Sequence, residues 1–235
     1  MTTVPGPRAS GFLATLSLIA AAAVLVLGLT TQVARGASDV DVDGLLQRMK
    51  VAYEGAPAVR ASFVQTNTGM SYFEPLVMEG TLSLERPRRI RMAYTTPRAK
   101  TYLSDGSTLW IVDDQDKTVQ RSRGQSAALG RLFDFLTGSA DVKRDFTLAV
   151  EDGKEGRSGF TVLRMKPRAP DAAFSLVYVH VHPETGFVHG VVTISSLGDR
   201  SETLLNELTT PEDLPDADFV YAEKPGYRLV DLDGP

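Results

Sequence analysis

The chain has 235 residues, with 25 Lys and Arg against 29 Asp and Glu, and it contains no cysteine. Without cysteine there is no disulfide, no thiolate metal site, no cysteine nucleophile and no lipid attached to an amino-terminal cysteine. The net charge of −4 becomes −6 once residues 1–36, which hold Arg8 and Arg35 and no acid, are set aside. That balance argues against a general affinity for nucleic acid or anionic membranes, although local basic patches survive.

Arg8 precedes an uncharged run from Phe12 to Leu29, and Ala34-Arg35-Gly36 supplies small residues where a signal peptidase reads. Residues 1–36 are therefore expected to be a secretory signal cleaved before Ala37; the alternative is an uncleaved anchor, since about 20 apolar residues span a bilayer. Residues 37–235 are expected to form a single domain in an extracytoplasmic compartment, long enough to bury a sizeable core.

Asp39 or Asp41 can cap a first helix in which Val42, Leu45, Leu46, Met49 and Tyr53 recur at helical spacing, and Gly55 and Pro57 end it. One apolar stripe predicts that this helix lies against a sheet. Val59, Ala61 and Phe63 then alternate with Arg60, Ser62 and Val64 in a strand reaching Thr68. From Gly80 onward Leu82, Leu84 and Arg86 share one face, so the arginine ends an apolar row. Pro87 breaks that strand, and in the next Ile90, Met92 and Tyr94 alternate with Arg89, Arg91 and Ala93.

Ser104-Asp105-Gly106 predicts a hairpin between 101–103 and 108–112, and 113–117 is a second polar turn leading into 118–121. Ser126 can cap a short, very apolar helix carrying Leu129, Leu132, Phe133 and Leu136 and closed by Thr137-Gly138. Strand patterns resume at 146–150, 160–166, 174–182, 187–195, 203–208 and 219–221. The class is mainly β: roughly eleven antiparallel strands in one sheet, too wide to stay flat and curled into an open half-barrel whose concave apolar face two helices cover.

His180, His182 and His189 are the most metal-like group. A four-residue loop at 183–186 would set His180 opposite His189, with His182 on their face. No carboxylate falls in that row, so no metal is assigned. There is no Gly-x-Ser-x-Gly elbow, Walker loop or dinucleotide glycine pattern, and Asp113-Asp114 and Glu151-Asp152 sit in turns where acids are simply solvated. Neither an enzyme nor a cofactor is supported. In the basic run Arg86, Arg88, Arg89, Arg91, alternation makes Arg89 and Arg91 a solvated face and singles out Arg86.

Several stretches, taken in order, carry a likeness to a known family. After the first helix come Ser62-Phe63-Val64-Gln65, the run from Gly80 to Pro87, Tyr94-Thr95-Thr96-Pro97, Leu103 to Trp110, Thr185-Gly186 to Arg200, and Phe219 with Pro225-Gly226. Their order and spacing resemble the periplasmic outer-membrane lipoprotein carrier family, LolA, over essentially all of 37–235. The resemblance implies an open barrel with a helical lid, acting as a monomer without nucleic acid. Its cargo would be acylated lipoproteins, taken from an inner-membrane lipoprotein-releasing ABC transporter and passed to an outer-membrane lipoprotein acceptor. The family's gating arginine, which bonds lid carbonyls when the barrel is empty, falls on Arg86. Three departures stand out: Ile90 and Met92 replace aromatics, the lid region lacks its proline, and Lys224-Pro225-Gly226 stands for Pro-Pro-Gly. The acyl-chain cavity is expected to be lined by Leu82, Leu84, Ile90, Met92, Tyr94, Trp110 or its neighbour Leu109, and Leu132, Phe133 and Leu136 of the lid. Two other readings stay open: a periplasmic half-barrel that senses lipid or lipoprotein for a regulator, and a secreted β hydrolase, which would need an acid or nucleophile in the cavity.

Overall fold

The structure is a computed structural model, and it describes residues 42–123, 142–151, 155, 157–168 and 174–233. Residues 1–36, the caps Asp39 and Asp41 and the expected helix over 126–138 lie outside the described residues. Helix α1 (Val42–Gly55) buries Leu45, Met49 and Tyr53, one residue per turn along a single stripe. Pro57, past the helix end, cannot continue the ladder of hydrogen bonds, and the chain turns into β1 (Ala58–Thr68).

Strands β2 (Leu76–Glu85), β3 (Arg89–Thr96), β4 (Lys100–Ser104), β5 (Thr108–Asp113) and β6 (Thr118–Arg123) follow as a meander. A four-residue helix α2 (Val142–Asp145) then leads into β7 (Phe146–Glu151), β8 (Thr161–Pro167), β9 (Leu176–Val181), β10 (Val188–Ile194) and β11 (Arg200–Thr209). The last strand, β12 (Arg228–Asp231), comes after a 3-10 turn at Asp216–Asp218. All twelve form one sheet in the order β12-β6-β5-β4-β3-β2-β1-β11-β10-β9-β8-β7. Every pairing is antiparallel except β12 with β6, which is parallel. β12 and β7 are the two edges and do not pair, so the barrel is open.

One difference from the sequence reading lies at the carboxyl end. The expected strand at 219–221 is instead the exit of the 3-10 turn, and Phe219 is fully buried with Ala58 and Leu214 on the outer face. The final strand lies further on, where Arg228 to Asp231 pairs with Thr118 to Arg121. Residues 211–231 thus strap the outer face of β1 to β6. Arg89 reaches Glu85 and Asp216, each at 2.6 Å, and lays its guanidinium 5.4 Å from the Phe219 ring centre. Arg60 meets Asp218 at 2.9 Å, and Tyr227 and Lys224 converge on Asp114. The basic face expected to be solvated is largely used to hold this strap.

Gly186, at φ +77, links β9 to β10, and a Cβ there would stand 2.5 Å from the Arg48 carbonyl oxygen. Only glycine lets the hairpin tip approach α1 this closely. The contact is completed by the Val188 N–H donating to Tyr53 Oη at 3.3 Å and by Tyr53 meeting Phe187 edge-on. Burial pushes the Tyr53 phenol up to about 12, so it stays a neutral acceptor.

At the other flank Asp113 closes β5. Burial alone would raise its pKa, but the Arg98 hydrogen bond at 2.8 Å, the Asp116 N–H and the charges of Arg98 and Lys100 outweigh burial and hold it below the usual carboxylate range. A folded pKa below the unfolded one adds stability that is present above about pH 4 and lost as pH falls through the depressed value. Asp113→Asn is therefore expected to destabilise the protein by ~2 kcal/mol at pH 7. Urea unfolding of both proteins from pH 7 to pH 3 checks this: the gap should close toward acid.

Candidate functional site

The inner face of the sheet carries the site. Register sets it out as rows that cross four strands. Leu84, Ile90, Ser104 and Leu109 stand opposite one another in one row, and Leu82, Met92, Tyr102 and Ile111 in the next. A third row holds Gly80, Tyr94, Lys100 and Asp113, with Phe63 of β1 beside Gly80. The apolar members of these rows join Leu163, Met165, Val177, Val179 and α1 in one continuous buried cluster. Four methionines belong to it: Met49, Met78, Met92 and Met165. Their unbranched, polarisable side chains adapt to irregular apolar shapes.

Aromatic rings mark the third row. Phe63 and Tyr94 meet edge-to-face at 5.0 Å, Tyr94 and Tyr102 at 6.0 Å, and Lys100 Nζ lies 5.7 Å from the Tyr102 ring centre. Burial, helped by neighbouring Tyr102, raises the Tyr94 pKa far above the ordinary phenol value, so Tyr94 remains a neutral donor. Its hydroxyl donates to Gln65 Oε1 at 2.8 Å.

Of the residues named from sequence, Leu82, Leu84, Ile90, Met92 and Tyr94 stand together in this cluster. Trp110 does not. It packs on the outer face with Leu103, Val112, Val119, Tyr221 and Tyr227, while Leu109 and Ile111 take the inner positions. The reason is register: Tyr102 pairs with Ile111, and a strand alternates, so Trp110 must point away. Leu132, Phe133 and Leu136 lie outside the described residues. Arg86 stands just past β2, exposed in the turn at 86–88, with its N–H donating to the Pro57 carbonyl at 3.0 Å. It is therefore at the rim next to Leu84, one step beyond the row it was expected to end.

The histidines are rearranged as well. A register shift between Val188 and Gly190 sets Gly190, not His189, opposite His180. His180 is buried on the outer side, and burial lowers its pKa. The His182 and His189 rings lie 5.8 Å apart with Phe160 beside both. No group of three or more His, Asp or Glu able to hold a metal ion occurs among the described residues. Sequence reasoning missed Phe63, Tyr102 and Ile111 as inner residues. The signal was present in the Asp105-Gly106 turn, which pairs Ser104 with Leu109 and so fixes the face of every residue on β4 and β5.

The model of the outer membrane lipoprotein carrier protein LolA matches residues 54–222. The chain belongs to the LolA family. Among its relatives, an outer-membrane lipoprotein carrier protein of Chromobacterium violaceum is 30% identical over 191 residues, spanning 79% of this chain and 87% of that one. One of Bordetella avium is 23% identical over 222 residues, covering 92% and 98% of the two chains. Among solved structures, an uncharacterized conserved protein of Thermus thermophilus superposes with a TM-score of 0.54 at 10% identity, covering 80% of this chain and 98% of that one, a likeness of fold alone. The LolA match begins within α1 and runs past β11 into the strap, so it takes in every strand that builds the inner rows.

Proposed function

We propose that this LolA family protein carries lipoproteins through the periplasm by holding their acyl chains on the inner face of the half-barrel. The observation that supports this most directly is the set of adjoining rows on β2 to β5, apolar across three or four strands, in a sheet whose edges do not close. Each methylene removed from water contributes about 0.8 kcal/mol, so long acyl chains supply a gross drive of tens of kcal/mol toward any dry surface. Binding is then easy and release is the harder demand. An open edge and a lining softened by methionine suit a carrier that must let go.

Arg86 acts in this reading as the gate. Residues 124–141 join β6 to α2, and Leu132, Phe133 and Leu136 within them are the proposed lid side. From the rim, the Arg86 guanidinium would hold lid carbonyls while the cavity is empty, and cargo would shift the balance by offering apolar contact instead. Delivery to the periplasm would follow removal of residues 1–36. Loading would occur at an inner-membrane transporter and unloading at an outer-membrane acceptor.

The test is native mass spectrometry of residues 37–235 purified from a periplasmic extract without detergent, followed by titration with an acylated peptide. A co-purifying lipoprotein, or saturable uptake of the peptide, is expected. Arg86→Leu should raise the uptake of a fluorescent apolar probe by about tenfold, the worth of a charge-assisted hydrogen bond. A bare protein mass together with no uptake would remove the carrier reading, and unchanged probe uptake in Arg86→Leu would remove the gate.

A further inference from the structure

The inner face changes character along its strands. Near the turn that holds Arg86 it is lined by Leu84, Ile90 and Leu109. Toward the opposite end the same face of β1 and β11 carries Gln65, Asn67, Ser201 and Thr203, with Gln65 opposite Thr203 and Asn67 opposite Ser201. Gln65, Asn67 and Thr203 are each no more than 2% exposed.

Gln65 is fully engaged. Its Nε2 donates to Asn67 Oδ1 at 3.0 Å and to Ser201 Oγ at 3.1 Å, and its Oε1 accepts from Tyr94. These bonds fix which way both amides point. They leave Thr203 Oγ1 buried without a hydrogen-bond partner. Asn67 Nδ2 has an acceptor at hand in the Tyr72 hydroxyl, whose pKa is raised by partial burial and by Asp199 and drawn back by a side-chain hydrogen bond from Asn67, so Thr203 Oγ1 is the group left over. Buried polar groups in folded proteins are almost always paired, so the unpaired Thr203 hydroxyl marks a place where an acceptor belongs.

We propose that Thr203 Oγ1 donates to an ester carbonyl of a bound diacylglyceryl group. The inference rests on the carrier reading. An acyl chain brings no polar atom except at its root, where an ester carbonyl accepts and cannot donate. Cargo therefore lies with its chain ends toward Leu84 and Ile90 and its glyceryl root toward Thr203. The same ester chemistry is found in the lipid of a lipoprotein and in a membrane phospholipid.

Four probes separate the possibilities: a dipalmitoylglyceryl lipopeptide, its diether analogue, which keeps both chains and lacks the carbonyls, and a phosphatidylglycerol pair built the same way. Residues 37–235 should bind the diester lipopeptide roughly 3- to 10-fold more tightly than the diether. Thr203→Val should remove most of that preference. Thr203→Val should also raise the melting temperature of the empty protein, because it deletes an unpaired buried hydroxyl. A diester preference confined to the phospholipid pair supports the subsite and names phospholipid as its occupant. Equal binding of diester and diether in both pairs overturns the subsite while leaving carriage intact, whereas failure of all four to bind overturns carriage and the subsite together. A lower melting temperature in Thr203→Val with an unchanged preference assigns the hydroxyl to the fold and overturns its donor role.

Discussion

Gly80→Val is expected to lower the melting temperature by more than ~10 °C, a loss above ~3 kcal/mol for a domain of this size. The cause is space rather than backbone conformation, since Gly80 lies within β2. A Cβ there would stand 2.2 Å from the Ala93 carbonyl oxygen and 2.6 Å from Phe63 Cζ. The oxygen is main chain on the paired strand, next to the point where the β2–β3 register slips between Glu79 and Gly80. It cannot swing aside as the end of a flexible side chain would. Phe63 is fully buried over the missing side chain and is held edge-on to Tyr94, whose hydroxyl is committed to Gln65. A branched side chain would have to push β3 away from β2 and displace both aromatic rings at once, beyond the usual 1–3 kcal/mol of overpacking. Thermal unfolding of the variant beside the parent protein is the check, and a shift of only ~2 °C would mean that β2 and β3 can slide apart cheaply.

The same region explains how far the sequence could be read. Where one face is buried and the other wet, as in Ile90, Met92 and Tyr94 against Arg89 and Arg91, alternation gave the strand and its inward residues directly. Where both faces are covered the period vanishes. Leu109 to Val112 is apolar throughout because the strap lays Tyr221 and Tyr227 over the outer face, so the strand was legible and its orientation was not. Leu76 and Val77 are exposed, which hides the start of β2 ahead of Gly80. The parallel pairing of β12 with β6 joins residues more than a hundred positions apart, and nothing local in Arg228 to Asp231 announces it. Phe219 was misplaced for a related reason: an apolar residue after a run of acids reads equally as strand or as an anchor, and here it anchors the strap against Ala58. The polar end of the inner face escaped notice because Gln65, Asn67 and Thr203 look like ordinary strand residues until register sets them side by side.

Two neighbouring residues give the sharpest test of which face holds the cargo. Ile111 is 5% exposed in the row formed with Leu82, Met92 and Tyr102, while Trp110 packs outward against Leu103, Val112 and the strap. If acyl chains lie on the inner face, Ile111→Asp should weaken lipopeptide uptake by at least ~100-fold, because a carboxylate must be stripped of water before a methylene chain can lie against it. Trp110→Ala should leave uptake within about threefold while freeing the strap, seen as faster proteolysis after Lys224 or Arg228, since its loss removes outer packing alone. Ile111→Thr serves as the companion that guards against simple unfolding. It keeps the β-branched shape suited to a strand, and it should retain the parent's circular dichroism while losing roughly tenfold in uptake. The opposite ranking, with Trp110→Ala abolishing uptake and a folded Ile111→Asp protein binding normally, would put the acyl chains beneath the strap. The rows on β2 to β5 would then be only core.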